Sequence, residues 1–383
     1  MKPDADIVVV GAGIVGAACA MECSRAGLST IVIESRFAGG GATAAGMGHL
    51  VVMDDSPAQI ALTRLSCEMW RELEPELPVS VEYDSCGTMW VAADAEEMDE
   101  VHRKSGVYAG AGVDSELIDS RKLYEYEPNL RPGLAGGLRV PGDAVIYPPV
   151  AAAWMLERAV SNGAKFVKGK KVQSVRPGGE AIMEDGSLVR GRTVVVAAGT
   201  HSAELVPGIA VRPRKGHLVI TDRYPGHIRH QLIELGYLKN AHKTTRDSVA
   251  FNVQPRKTGQ LLIGSSRQYD APNGAVEESI TARMLDRAFW YLPHLKDLQC
   301  LRVWTGYRAA TPDKVPLIGP ATDCKTAEPI EGIWLATGHE GLGITTSLGT
   351  GRIVAERLGG KSASIPFGPY EPSRFPPYTE EVH

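Results

Sequence analysis

The sequence lacks an excess of positive charge. Its 41 Lys and Arg face 45 Asp and Glu, a formal net charge of −4. Nucleic-acid backbones are held by a basic excess, so that class of partner is excluded. It also lacks any C-x-x-C pair. Cys19, Cys23, Cys67, Cys86, Cys300 and Cys324 are scattered along 383 residues. That spacing forms neither a disulfide framework nor a zinc site, and fits a reducing compartment. Cys19 and Cys23, four residues apart, are expected on one buried helix face. No apolar run reaches the roughly 20 residues that span a bilayer. The apolar stretch from Ile7 to Met21 is not read as a signal peptide. Asp4 and Asp6 offset Lys2, and three spaced glycines interrupt the run. The expected location is the cytoplasm, with peripheral attachment to the inner membrane left open. No heptad, internal repeat or Walker A is present. Gly163 to Gly169 has one residue too many between its glycines for a Walker A. With 43% apolar and 22% charged residues, the chain is globular and able to bury a large core.

Glycine is abundant, with 42 residues, and its placement is informative. Asp6-Ile-Val-Val-Val10 is a β-branched apolar run suited to a buried parallel strand. Gly11-Ala-Gly13-Ile14-Val15-Gly16 follows, then helix formers to Ala26, and a second apolar strand ending at Glu34. In this order the first glycine makes a tight turn and the second admits a pyrophosphate. The third lets helix and strand pack closely. The pyrophosphate rests on the helix N-terminus, and Glu34 accepts from ribose hydroxyls. An adenine dinucleotide is therefore expected. The long small-residue loop Arg36 to His49 favours FAD over NAD, because a bulky isoalloxazine must be approached by backbone.

Further along, Ser56 is expected to cap a helix reaching Leu77, and Ala95 to Ala111 reads as another. Helices are also expected over 151–161, 280–292 and 344–358. Short strands are expected near 86–92, 164–167, 171–175, 217–220, 248–253, 260–264, 303–308 and 315–319. Arg192 to Gly199 and Gly332 to Thr337 read as buried strands, the former in the sheet of the first strand. The Gly332–Thr337 strand runs into Gly338-His339-Glu340-Gly341-Leu342-Gly343, a second strand, glycine turn and helix unit. Its N–H groups are read as donors to the flavin C2 carbonyl and N1.

Six ordered motifs carry a resemblance. They are Val8 to Gly16, Gly41-Ala42-Thr43-Ala44-Ala45-Gly46-Met47, Val194 to Gly199, Gly306 to Asp313, Pro316 to Gly319 and Thr337 to Ile344. Together they resemble the D-amino-acid oxidase superfamily of flavoproteins over nearly the whole chain. The resemblance implies an α/β fold in which a Rossmann-like (GR2-type) FAD-binding domain is interleaved with a mixed α+β substrate-binding domain. The first would comprise residues 1–50, 145–205 and 303–362, and the second 51–144 and 206–302. An extended Pro- and aromatic-rich tail, 363–383, would lie on its own domain, with docking to a partner subunit as an alternative.

Expected FAD contacts at the first turn and its loop are Gly11, Gly13, Ile14, Val15, Gly16, Glu34, Ser35, Arg36, Ala42, Thr43, Ala44, Ala45, Gly46 and Met47. Val172, Ala198, Gly199 and Arg308 are expected from the middle of the chain. The second turn would contribute Gly338, Glu340, Gly341, Leu342, Gly343, Ile344 and Thr345. Members of the family that bind FAD covalently use a cysteine before the Thr-Pro-Asp motif. Here Trp304 to Arg308 has none, so non-covalent FAD is expected.

Arg308 matches the arginine that binds a substrate carboxylate in glycine oxidase-like members. A guanidinium holds a carboxylate bidentately and would aim the α C–H at flavin N5 for hydride transfer. Met47, His339 and Tyr147 complete the catalytic candidates. Tyr147, Phe251 and Tyr237 are candidate apolar walls, each with ordinary packing as the plainer reading. Tyr307 reads as packing. Arg212, Arg214 and Lys215 read as a solvated strand end. His227 and His230 have a loose metal-like spacing without partners, and no metal is expected.

His49 to Ser56, Pro255 to Gln260 and Gly264 to Arg267 look like the D-hydroxyproline dehydrogenase and opine dehydrogenase β-subunit group. The expected activity is FAD-dependent dehydrogenation of a small D- or cyclic amino acid with a free carboxylate. cis-4-Hydroxy-D-proline or D-proline, giving the cyclic imine, comes first. An opine dehydrogenase subunit or a glycine/sarcosine-type oxidase is the alternative. An FAD electron-relay subunit belongs to a different class, and Arg308 argues against it. The resemblance also implies another flavoprotein subunit and a small iron–sulfur subunit as partners.

Overall fold

Ala5–Val10 lies at the centre of a sheet because its β-branched side chains are buried on both faces. It pairs in parallel with Thr30–Glu34 on one side and Leu188–Val196 on the other. Lys165–Lys168 extends the sheet beyond Thr30–Glu34, and Pro329–Thr337 extends it beyond Leu188–Val196. Leu317–Thr322 closes that edge antiparallel, and Val172–Arg176 and Glu180–Met183 form a hairpin branch. The computed structural model describes residues 2–235 and 247–375. Tyr237 lies outside the described residues.

The helix Ile14–Arg25 is apolar nearly all round, as a helix packed between layers must be. Cys19 and Cys23 are both fully buried on it. A Cβ added at Gly351 of the helix Gly343–Leu358 would sit 2.6 Å from the Ala18 carbonyl oxygen, so glycine lets these two helices cross closely. The helix capped by Ser56 runs Pro57–Leu73, shorter than the expected reach to Leu77. Pro75 has no N–H to continue the ladder, and Glu74–Glu76 is a 3-10 turn. Ala95–Gly110 forms the next helix, with the Asp94 carboxylate accepting from Glu97 N at 2.9 Å.

The second sheet has the order Cys300–Ala310, Arg212–Arg223, Gln260–Tyr269, Asp247–Pro255, Gln231–Glu234, Thr88–Ala92, Gly136–Val140, Glu116–Asp119. It is antiparallel except between Gln231–Glu234 and Thr88–Ala92. The helix Glu278–Tyr291 covers one face. Phe251 is buried there and stacks on Tyr291 at 4.3 Å, so it is core and not a pocket wall. The strand Cys300–Ala310, expected from 303 onward in the nucleotide-binding unit, is hydrogen-bonded into this second sheet. It then leads into Leu317–Thr322 of the first, linking the two sheets.

The tail forms two 3-10 turns, Gly368–Tyr370 and Pro372–Arg374, rather than a fully extended run. A proline stands in the first two positions of each turn, Pro369 second and Pro372 first, where its missing N–H costs nothing. The buried Tyr370 hydroxyl donates to Ala58 O at 2.7 Å. Arg374 Nε donates to Asp313 Oδ2 at 2.8 Å.

Candidate active site

Both glycine turns open onto one cavity of about 1520 Å³ between the two sheets. At the first turn Gly11 has φ +103°, and an added Cβ would sit 2.7 Å from Ala197 O. A Cβ at Gly16 would lie 2.0 Å from Gly11 O, so this glycine packs helix on turn and does not itself line the cavity. Gly13 is the N-cap, and Ile14 N donates to Thr43 Oγ1 at 3.0 Å. The Glu34 carboxylate accepts from Ala12 N and Arg36 N, each at 2.8 Å, and from Ser35 Oγ at 3.2 Å. Strand end, turn and acid are thus one hydrogen-bonded unit. Val15, Ser35, Arg36, Val172, Ala198 and Gly199 line the same end.

The loop after Arg36 forms a short helix, Ala42–Ala45, then packs backbone to backbone. A Cβ at Gly48 (φ +108°) would meet Ile146 O at 2.1 Å. Ala42, Thr43, Ala45, Gly46 and Met47 line the cavity and Ala44 does not. Met47 is buried against Leu218 and Leu262, and Gln254 Nε2 donates to its carbonyl at 2.9 Å.

At the second turn, Gly338, His339, Glu340, Gly341, Leu342, Gly343 and Ile344 all line the cavity, at the N-terminus of Gly343–Leu358. Leu342 is the N-cap of that helix, and its carbonyl accepts from Thr346 N at 2.9 Å. Thr345 stands one residue behind the lining, its hydroxyl donating to His49 O at 2.8 Å. It ties the loop to the helix rather than facing the cavity. The His339 ring is buried, with Nε2 2.9 Å from Thr350 Oγ1. Burial pulls it down to about 3, leaving it neutral at ordinary pH. Tyr147 is not at the cavity. It is 37% exposed, with the Arg256 guanidinium 4.6 Å from its ring centroid.

The side of the cavity built by the second sheet is cationic. Arg308 and Arg214 stand directly opposite each other on neighbouring strands, and Arg214 is opposite Tyr269 on the next. Alternation then brings Arg267 to the same face. All four line the cavity. Arg308 Nη1 donates to Ser266 O at 2.9 Å. Its guanidinium lies over Gly216, where an added Cβ would be 2.5 Å from Nη1. Arg214 pairs with Glu340 at 2.6 Å. Burial, with Arg214 and Arg308 nearby, pushes Arg267 down to about 9, and Glu340 opposes that shift.

Of the basic cluster at 212–215, only Arg212 is a solvated strand end, exposed and paired with Asp270 at 2.7 Å. Arg214 turns to the cavity, while Lys215 turns the other way, fully buried, and pairs with Glu277 at 2.7 Å. Tyr307, expected as packing, lines the cavity. His230 is paired with Glu127 at 2.7 Å.

His49 and Asn252 are cavity residues that sequence reasoning missed. His49 Nδ1 faces Gln231 Oε1, and Asn252 Nδ2 lies 3.0 Å from its Nε2. This assigns the proton to Nδ1. Burial holds His49 down at about 4. Among the described residues, Asn252 Oδ1 has no partner and stands as an orphaned acceptor at the cavity wall.

The cradle fits FAD. Two helix N-termini, the acid Glu34 and a glycine-walled trough continue past the first turn into a second half lined by Arg214, Arg267 and Arg308. The fold and cavity define a flavin-dependent oxidoreductase. The chain matches the model of DAO, the FAD dependent oxidoreductase family, over residues 6–357, and belongs to that family.

It is 26% identical to hydrogen cyanide synthase subunit HcnC of Pseudomonas aeruginosa, covering 97% of this chain and 96% of the relative. It is 24% identical to glycine oxidase of Geobacillus kaustophilus, covering 96% and 97%. The crystal structure of glycine oxidase from that organism superposes with a TM-score of 0.83 over 99% of both chains. L-proline dehydrogenase from P. horikoshii shares the fold with a TM-score of 0.85, at 24% identity and 98% coverage of each chain. No helix among the described residues is long and apolar enough to cross a membrane.

Proposed function

We propose that this protein dehydrogenates a small amino or imino acid at the carbon beside its nitrogen. The carrying observation is Arg308, a buried-rim guanidinium on the cavity wall where the second glycine turn meets the second sheet. Its Nη1 is held by Ser266 O, which fixes the plane of the fork toward a substrate carboxylate. Bound FAD supplies the two-electron acceptor for the C–H bond beside the nitrogen. Gly11 to Val15, Glu34 to Arg36, Ala42, Thr43, Val172, Ala198 and Gly199 would hold its nucleotide end. Ala45 to Met47 and Gly338 to Ile344 would flank its ring. No cysteine is among the described residues lining the cavity, which supports non-covalent binding.

The chain itself binds, orients and excludes water. Met47, Leu218 and Leu262 form an apolar patch that dries one wall. His49 and His339 stay neutral, so neither neutralises the carboxylate that Arg308 is to hold. The first substrates to test are cis-4-hydroxy-D-proline and D-proline, with the cyclic imine as product. The fold shared with a proline dehydrogenase supports a cyclic imino acid only at the level of architecture. That HcnC is named as a subunit of hydrogen cyanide synthase supports work within a complex.

Anaerobic addition of each amino acid to the purified yellow protein tests the reading. Bleaching of the flavin band by a D-imino acid and not by its L form is expected. Admitting air then separates oxidase from dehydrogenase. A flavin-loaded protein that no amino or imino acid bleaches would overturn the proposal in favour of an electron-relay subunit.

A further inference from the structure

Asn252 stands on the cavity wall with one half of its amide engaged and the other half bare. The reason lies behind it. Gln231 is fully buried, and its Nε2 donates to Ala144 O at 2.9 Å. Its Oε1 therefore faces His49 Nδ1, which must carry a proton. Burial keeps the His49 ring neutral, so its Nε2 is an acceptor and takes a hydrogen bond from Asn252 Nδ2 at 3.0 Å. This chain of bonds leaves Asn252 Oδ1 as an acceptor, and among the described residues it has no partner. A buried amide oxygen without a donor is unfavourable. A fold that fixes one beside a cavity leaves it for a ligand.

The Arg308 side chain reaches over Gly216 to Ser266 O, at 2.9 Å, on the strand Gln260–Tyr269. Asn252 stands on the next strand, opposite Gly264. It is one strand across and two residues along from Ser266, roughly 8 Å by ordinary sheet spacings. One hydrogen bond from the fork, one carboxylate joined through a single carbon to its nitrogen, and one hydrogen bond to Oδ1 fill that span. We propose that Asn252 Oδ1 accepts the N–H of the substrate nitrogen, with Gln231 and His49 as positioning residues that hold its amide in that orientation. This rests on the amine-oxidation reading above. The amine reacts in its neutral form. Its α C–H leaves with the electron pair to bound FAD, the nitrogen lone pair becomes the second C–N bond, and the N–H stays on a nitrogen now positive. The hydrogen bond to Oδ1 strengthens along that path, so it acts on the rate more than on substrate binding.

The test uses two redox-inert acids on the FAD-loaded protein. Pyrrole-2-carboxylate offers a ring N–H beside its carboxylate, and 2-furoate offers a ring oxygen in the same place. Titration of the flavin spectrum should show the pyrrole acid binding at least tenfold more tightly. That ratio should fall to near one in Asn252→Leu, which keeps the volume and loses the acceptor, with FAD content unchanged. It should also fall in Gln231→Met, which alters no cavity-lining residue and frees the His49 tautomer. Arg308→Met should weaken both acids alike. In anaerobic mixing with D-proline, Asn252→Leu should slow flavin reduction about 100-fold at saturation and move the half-saturating concentration little. Equal binding of the two acids by the wild type, or a ratio unchanged in Asn252→Leu, would overturn the inference. A ratio unchanged in Gln231→Met alone would overturn the positioning by Gln231 and His49. A high ratio that Asn252→Leu abolishes, without flavin reduction by any amine, leaves the N–H acceptor standing and removes the amine oxidation.

Discussion

Gly216→Ala is a one-carbon perturbation with a calculable consequence. The new methyl would sit 2.5 Å from Arg308 Nη1 and 2.9 Å from Cζ and Nη2. Ordinary contact begins near 3.4 Å, so the guanidinium must retreat by about 1 Å. The obstructed atoms are the far end of a flexible side chain, so the fold can yield there. Gly216 also does not have the positive φ that would strain alanine. The carboxylate anchor, however, moves by the whole displacement. Misplacement of about 1 Å costs roughly 100-fold in a rate that depends on alignment.

The assay is anaerobic flavin reduction with the best amino-acid substrate, alongside FAD content and a thermal melt. FAD content and melting temperature should stay close to wild type while kcat/KM falls by about two orders of magnitude. Gly106→Ala, on the helix Ala95–Gly110 with nothing within 4 Å of the new carbon, serves as control. It should gain up to about 1 kcal/mol of stability and leave activity alone. Unchanged kcat/KM in Gly216→Ala would refute the assignment of Arg308 as the carboxylate anchor.

Three further outcomes follow from the same geometry. Glu34→Ala removes acceptors for Ala12 N and Arg36 N as well as for a ribose; about 1.5–3 kcal/mol is at stake, so FAD dissociation measured by flavin fluorescence should rise roughly 10- to 100-fold. Gly16→Ala places a carbon 2.0 Å from the Gly11 carbonyl oxygen, which is backbone and cannot swing away; soluble protein should be colourless or absent, and a yellow, stable variant would contradict the packing role. Burial raises the Asp143 carboxyl from 3.8 to about 7. The folded state then keeps a proton that the unfolded chain has lost. Its stability relative to a non-titrating residue falls by about 1.4 kcal/mol per pH unit across that window and levels off above it. Asp143→Asn should therefore gain on wild type between about pH 4.5 and pH 8 by on the order of 3 kcal/mol in thermal or denaturant melts, and a pH-independent difference would count against the buried-acid account.

What could be read from the sequence was what short spacing fixes. Gly11, Gly13, Gly16 and Glu34 declare their turn, helix and strand because each acts on neighbours close in the chain. The second turn at Gly338 was legible for the same reason. Arg214 and Arg267 were not, because the face of an antiparallel strand depends on cross-strand register. Nothing near Arg214 in sequence says that it stands opposite Arg308. Lys215, one residue away, has the same charge and the opposite fate. Aromatics were ambiguous for a different reason. Phe251 can fill a core or a pocket wall with equal local propensity, and only Tyr291 beneath it decides. His49 was passed over because its meaning comes from Gln231 and Asn252, distant in sequence and adjacent only in the sheet.

The central claim is that Arg308 holds a carboxylate while the neighbouring C–N bond is oxidised. Its most direct test compares a reducing amino acid with the same amine lacking the carboxylate, such as D-proline against pyrrolidine, in wild type and Arg308→Met. The account predicts fast anaerobic bleaching only by the carboxylated amine in wild type, and collapse of that preference in the variant. Equal bleaching by both amines, or an undiminished preference in Arg308→Met, would contradict it.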